Sequence, residues 1–335
     1  MTTRPEHIFC ETAKQGLTWI LSQQLADGSF SAPQEGIAGY YKVPYALTVT
    51  GHLRAAQRLL NWSAKHHFTP AGNFHSANAK TRTCMEDFWP VYGKAWLVLG
   101  AHRAGRWDLS FQGAAHLLRY QVPVGGFYAI EDGTRFLEPV STSWGGLATL
   151  TTGNLPAACQ AGDLLVHLIN IQPETDRFYY RLDLNGNLMT TVPAGSELFY
   201  YVDAAHNQQI YFQPGISLIF LAQLYRATNE PRYLEACQTL FQFTARCAED
   251  VYRFPSSGKL GMGCALLHAL TGQDEAKQAA VSVGTYLVET QASEGFWKLP
   301  DVEAYQAIPD KHQFEIILDV TSEFCIFLTE IAALI

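Results

Sequence analysis

The sequence predicts an all-α fold, an (α/α)6 barrel or toroid built from six helical hairpins, in one domain spanning residues 1–335. Two observations carry this. First, a short motif recurs: Gln, three residues, Gly, one residue, aromatic. It stands at Gln24–Gly28–Phe30, Gln121–Gly125–Phe127 and Gln291–Gly295–Trp297. Worn copies fall between them at Phe68–Gly72–Phe74, Gln172–Asp176–Phe178 and, weakest, Ala248–Tyr252–Phe254. Second, the segments between motifs show apolar residues at helical spacing rather than strict alternation. Gaps of 43 to 76 residues between motif starts suit two helices and a turn each.

The motif chemistry fits a hairpin joint. Glycine after a helix accepts the left-handed conformation. A glutamine amide can bond loop or helix-end backbone groups, and the aromatic wedges against the next unit. These residues are therefore read as structural. Taken in order, Ile8–Gln23, Leu53–Lys65, Phe111–Tyr120, Ala157–Ile171, Tyr233–Cys247 and Ala276–Thr290 each lead into a motif and read as outer helices. Inner helices are expected at Tyr45–Thr50, Tyr92–Ala104, Trp144–Thr152, Gly215–Thr228, Lys259–Thr271 and Ile316–Ala333. Several of these are apolar nearly all round, as helices buried on both sides must be. The long gap holds Asp183–Leu188 and Val192–Gly195, and reads as a hairpin-like excursion at about 178–214.

Composition narrows the class. The chain is 48% hydrophobic and 16% charged, with 13% aromatic residues, enough for a large core and a lined cavity. Net charge is −8 and no Lys/Arg run exists, so nucleic acid is not expected as a partner. Seven scattered Cys without a CxxC pair suggest a reducing compartment. Without a visible signal peptide or an apolar run of ~20 residues, the expectation is a cytoplasmic protein with no stable membrane insertion. A homodimer is compatible with all of this.

At the motifs, the sequence resembles the terpenoid cyclase and protein prenyltransferase toroid, whose squalene-cyclase-like members carry such Gln–Gly–aromatic segments as QW motifs. The resemblance implies a cavity at one barrel mouth, lined by inner-helix starts and the loops before them, where hydrophobic substrates are cyclised or prenylated. The chain departs from the family by lacking the Asp-x-Asp-Asp acid motif, the Asp-Asp-x-x-Asp motif and a prenyltransferase-like zinc set. No cofactor and no metal are expected. The same barrel serves six-hairpin glycosidases, lyases and epimerases, so fold alone does not give function.

Reading the loops that enter inner helices gives the candidate site. Glu86 and Asp87, adjacent and beside Trp89, could supply an acid of raised pKa, or could cap the following helix. Asp203 and His206 are three apart, share a face if helical, and suit proton transfer near neutral pH. Glu323, with Asp319 one turn before it, is embedded in an apolar run, and charges there need partners or a wet cavity. These give Glu86, Asp87, Asp203, His206 and Glu323 as catalytic candidates. Tyr41, Tyr45, Trp89, Tyr92, Trp144, Tyr201, Tyr211, Lys259 and Asp319 are the substrate-binding candidates, in an inventory that also counts Lys42. All are expected around one mouth.

Aromatics dominate this lining, which suits an apolar substrate or a cationic transition state. The expected function is a cyclase or isomerase of natural-product biosynthesis acting on a hydrophobic, polyene-like or otherwise reactive small molecule, pericyclic closure included. Positioning alone can supply ~7–11 kcal/mol of a barrier. The alternative is a carbohydrate-active hydrolase, lyase or epimerase using paired carboxylates.

Overall fold

The computed structural model describes residues 4–31, 36–75, 87–298 and 310–335, with side chains of the last segment described from residue 313 onward. Among these residues there are twelve α-helices and two short two-stranded sheets. No described helix is long and apolar enough to cross a membrane. Packing divides the chain into two compact units, residues 1–117 with 287–332, and residues 118–286 with 333–335.

The first unit holds α1 (Pro5–Gln23), α2 (Val43–Val49), α3 (Leu53–His67), α4 (Tyr92–Arg103), α5 (Trp107–Leu117) and α12 (Asp310–Leu334). Three of these are core helices. On α4 every residue from Tyr92 to Ala101 is buried except Gly93, and residues 321–328 of α12 form an unbroken buried run. The other three show one stripe only. On α3, Ala55, Ala56, Leu59, Leu60, Trp62 and Ser63 face inward at helical spacing, and the opposite face is polar. Each leucine so buried contributes roughly 1.5–3 kcal/mol. Pro44 in the first turn of α2 has no N–H to lose there.

The second unit repeats this plan. Its core helices are α6 (Pro139–Thr151), α8 (Phe212–Thr228) and α10 (Gly258–Thr271). Its striped helices are α7 (Leu155–Asn170), α9 (Pro231–Thr244) and α11 (Asp274–Thr290). The expected helices are thus found, most within a few residues of their expected ends. The main difference is α12, which starts at Asp310 rather than Ile316.

The motifs join helices by one geometry. Gln121 donates from Nε2 to Gly125 O (2.8 Å) and to Ala157 O (2.9 Å) in the first turn of α7. Gln24 does the same to Gly28 O and Ala55 O, and Gln291 to Gly295 O and Thr12 O. Three residues beyond each outer carbonyl the helix backbone presses on the motif glycine. At Gly125, with φ 102°, an added Cβ would lie 2.2 Å from Gln160 O; at Gly295, with φ 95°, it would lie 2.7 Å from Gln15 O. Only glycine fits both the angle and the space. Phe127 and Trp297 are then fully buried, Phe127 against Gly145 and Trp297 against Gly16.

The strands lie in the second unit. β1 (Tyr128–Glu131) and β2 (Thr134–Leu137) form a hairpin that the helical reading did not expect. Its turn, Asp132-Gly133, has φ of 48° and 77°, as a two-residue hairpin turn demands. The expected excursion is present, with β3 (Arg177–Tyr179) antiparallel to β4 (Tyr201–Asp203).

Candidate active site

In the first unit the starts of α2 and α4 meet the middle of α12 at a buried ion cluster. Lys42 is the residue before α2, Tyr92 begins α4, and Asp319 and Glu323 sit one turn apart on α12. Lys42 Nζ lies 2.9 Å from Asp319 Oδ2 and 3.0 Å from Glu323 Oε2. The Tyr92 hydroxyl donates to Glu323 Oε1 at 3.2 Å. Lys42 Nζ also stands 5.3 Å from the ring of Tyr41 and 5.4 Å from that of Tyr92, whose rings meet edge-on at 5.6 Å. Trp89 is half-buried, 6.4 Å from Tyr92.

The electrostatics follow from burial. Burial alone would depress the Lys42 ammonium, but Asp319 and Glu323 outweigh it and hold its pKa well above the ordinary lysine value. Asp319 is pushed the other way. Burial, with the charge of Glu323 beside it, raises its carboxyl above the usual range despite Lys42. Two carboxyls share one ammonium, so the ionisation of each opposes that of the other. Tyr41 is likewise raised, chiefly by burial. Farther along, Tyr45 is packed against Trp96 at 5.4 Å and under the Arg103 guanidinium at 5.2 Å.

Of the first unit's candidates, the structure therefore brings Tyr41, Tyr92, Trp89, Asp319 and Glu323 together. Asp87 is exposed, and Glu86 lies outside the described residues. Lys42, counted in the lining but given no role, is the centre of the group. Its signal was a lysine beside two tyrosines at the mouth of an apolar helix, a cation with no solvent face.

The second unit holds a different cluster. Arg177 on β3 stands directly across the ladder from Asp203 on β4, and its Nε donates to Asp203 Oδ2 at 3.2 Å. Asp203 Oδ1 accepts from Ala205 N at 3.0 Å and lies 3.2 Å from His206 Nδ1. Asp203 and His206 meet through a turn after a strand, not along a helix face as the spacing suggested. Burial pushes the Asp203 carboxyl up, but hydrogen bonds from Ala205, His206 and Arg177 outweigh it and hold it below the usual range. The His206 side chain is 71% exposed. Tyr201 lies under Arg177 at 5.0 Å, and the Tyr211 hydroxyl donates to Asp250 Oδ1 at 2.6 Å. Trp144 is buried within α6, and Lys259 is buried with its Nζ 5.6 Å from the Phe212 ring. No three His, Cys, Asp or Glu residues among those described are arranged to hold a metal ion.

The sequence matches no family model and no curated protein. Solved structures do match over nearly the whole chain. A variant of the type II terpene cyclase MstE from Scytonema, in complex with its substrate geranylgeranyl dihydroxybenzoate, is similar with a TM-score of 0.62 at 11% identity, covering 99% of each chain. An inactive variant of the alpha-1,6-mannanase GH76A of Salegentibacter sp. HEL1_6 gives 0.64 at 12% identity, covering 98% of this chain and 99% of the other. A D-mannose isomerase gives 0.65 at 11% identity, covering 96% and 97%. At these identities the likeness is one of fold, and it establishes the (α/α)6 toroid expected from the glutamine motifs.

Proposed function

We propose that this protein is an enzyme, a cyclase or isomerase that acts on a hydrophobic, polyene-like substrate and starts by delivering a proton from Asp319. The observation that supports the reading most is the buried Lys42–Asp319–Glu323 cluster flanked by Tyr41 and Tyr92. A carboxyl raised by burial holds its proton to higher pH than an exposed one, as a Brønsted acid must. Aromatic faces beside it stabilise the cation that protonation of an alkene creates. Structures that share the fold are, by their names, a cyclase, a mannanase and an isomerase. The chemistry calls for no nucleotide.

The test uses geranylgeraniol and geranylgeranyl dihydroxybenzoate as probes, incubated with the protein in D2O. The expected product is an isomer or ring compound carrying one solvent deuterium. Asp319→Asn keeps the shape and removes the acid, and should cost on the order of 10²- to 10⁴-fold in turnover. Wild-type rates in that variant, or no conversion of either probe, would sink the reading.

One observation favours a second reading, carbohydrate conversion. His206 is open to solvent and held at Nδ1 by Asp203, an arrangement suited to proton transfer on a polar substrate. Conversion of D-mannose or of an alpha-1,6-mannoside that survives Asp319→Asn and vanishes with His206→Asn would establish it instead.

A further inference from the structure

We infer that Glu323 is the base that takes a proton back from the substrate and that Lys42 returns it to Asp319, closing a proton circuit on one face of the substrate. The inference rests on the acid-initiated reading above. Four residues apart on α12, Asp319 and Glu323 stand on one helix face with their Cβ atoms about 5–6 Å apart. Lys42 Nζ bridges them at 2.9 and 3.0 Å. Its side chain is 3% exposed, against 12% for Asp319 and 11% for Glu323. What little exposure the cluster keeps therefore belongs to the two carboxyls rather than to the ammonium.

Hydrogen bonding and burial separate their roles. Glu323 receives Lys42 on Oε2 and the Tyr92 hydroxyl on Oε1, two donors that favour the ionised form a base requires. Asp319 receives Lys42 on Oδ2 and is also drawn down by the Tyr41 hydroxyl, but burial and the charge of Glu323 beside it outweigh both donors and favour its protonated form.

The steps balance. The Asp319 O–H bond breaks, a C–H bond forms at one alkene carbon, and the π pair of that alkene leaves its neighbour cationic; a second alkene can attack there and close a ring. A C–H bond beside the final cation then breaks, its electron pair becomes the new C=C, and Glu323 takes the proton. Lys42 gives a proton to Asp319 as it accepts the one from Glu323. Nothing is consumed, the product is an isomer, and the proton enters and leaves on the same face. Held charged by both carboxylates, Lys42 does not act as a nucleophile.

The isosteric variant Glu323→Gln tests this. Without the base the cation survives long enough for water to capture it, so the product should shift from alkene to alcohol. Alkene turnover should fall on the order of 10²-fold or more. With geranylgeraniol deuterated stereospecifically at the carbon that loses hydrogen, wild type should remove the label from the face that receives the solvent proton. Unchanged alkene formation by Glu323→Gln, or removal from the opposite face, would overturn the circuit. If Asp319→Asn is inactive in the same assay, the acid reading stands without it; if Asp319→Asn is fully active, that reading is what fails. An arm without substrate uses 13C-labelled carboxyls: Asp319→Asn must move the titration of Glu323, and an unmoved curve overturns the shared proton.

Discussion

Each unit carries a cluster of carboxyl and cationic side chains, and the two differ in what surrounds them. Lys42 is sealed between Asp319 and Glu323 behind tyrosine rings. Asp203 takes Arg177 and His206 from positions open to solvent, with side chains 40% and 71% exposed. The carboxyl shifts run in opposite directions, Asp319 up and Asp203 down. Partners and surroundings both enter: three donors, Ala205, His206 and Arg177, outweigh burial at Asp203, whereas at Asp319 burial and the like charge of Glu323 outweigh Lys42. Where water is excluded and a second carboxyl adds like charge, the ionised form is disfavoured, which is what the proposed proton store requires. Where water screens the charges, the same pairing simply fixes a turn.

The largest expected effect is that of removing the sealed cation. Lys42→Met leaves two buried carboxyls with no counter-ion, and breaking a buried pair from one side costs about 3–5 kcal/mol. Urea unfolding should show a loss of this size at pH 7. The companion triple variant Lys42→Met, Asp319→Leu, Glu323→Leu should recover most of it, because apolar replacement of a whole buried cluster is often neutral or better. A single Met variant as stable as wild type would mean that the cluster is wetter than its exposure indicates, and the contrast between the units would lose its basis.

A smaller loss is expected where a polar group is neutral but held between two elements. Gln291→Ala removes the amide that bridges Gly295 O and Thr12 O. It should cost roughly 1–3 kcal/mol, with turnover of the folded fraction near that of wild type. Gln121→Ala offers the matched measurement in the other unit, since its two bonds have the same form. A stable but inactive variant at either position would show the motif to be functional.

How much of this was legible depended on the range of the interactions. Helices came through because periodicity is local: the stripe on α3 and the apolar runs of α4 and α8 are written in consecutive residues. The motif joints came through because Gln, Gly and aromatic are spaced within one loop. The β1–β2 hairpin was legible too, since Asp132-Gly133 between Tyr-Ala-Ile-Glu and Thr-Arg-Phe-Leu is a standard turn signal, but the helical periods on either side drew attention from it. The Lys42 cluster was only half legible. Asp319 and Glu323 announced themselves as charges in an apolar run, whereas their cation lies 277 residues away in sequence. No spacing rule links the two. For Asp203 and His206 the proximity was right and the reason wrong, because the turn after β4, not a helix, closes the gap.

The smallest effect is predicted at the open cluster. Asp203→Asn keeps the shape and can still accept from Ala205 N on its one oxygen, while it loses the oxygen that takes Arg177 Nε and the charge that Arg177 and His206 stabilise. Because Arg177 and His206 face solvent, the loss should be that of a screened pair, about 0.5–1 kcal/mol, and should shrink in 0.5 M NaCl, where the Debye length falls below about 5 Å. The pH dependence has a definite sign. The folded-state carboxyl titrates below its unfolded value of about 3.9. Its contribution is therefore fully present above that value and is lost as pH falls through the lower folded one. Wild type and Asp203→Asn should differ above that unfolded value and converge in acid. If the difference instead grows as salt is added, or exceeds that of Lys42→Met, then Asp203 is the sealed carboxylate and Asp319 the screened one, and the assignment of the proton store belongs in the other unit.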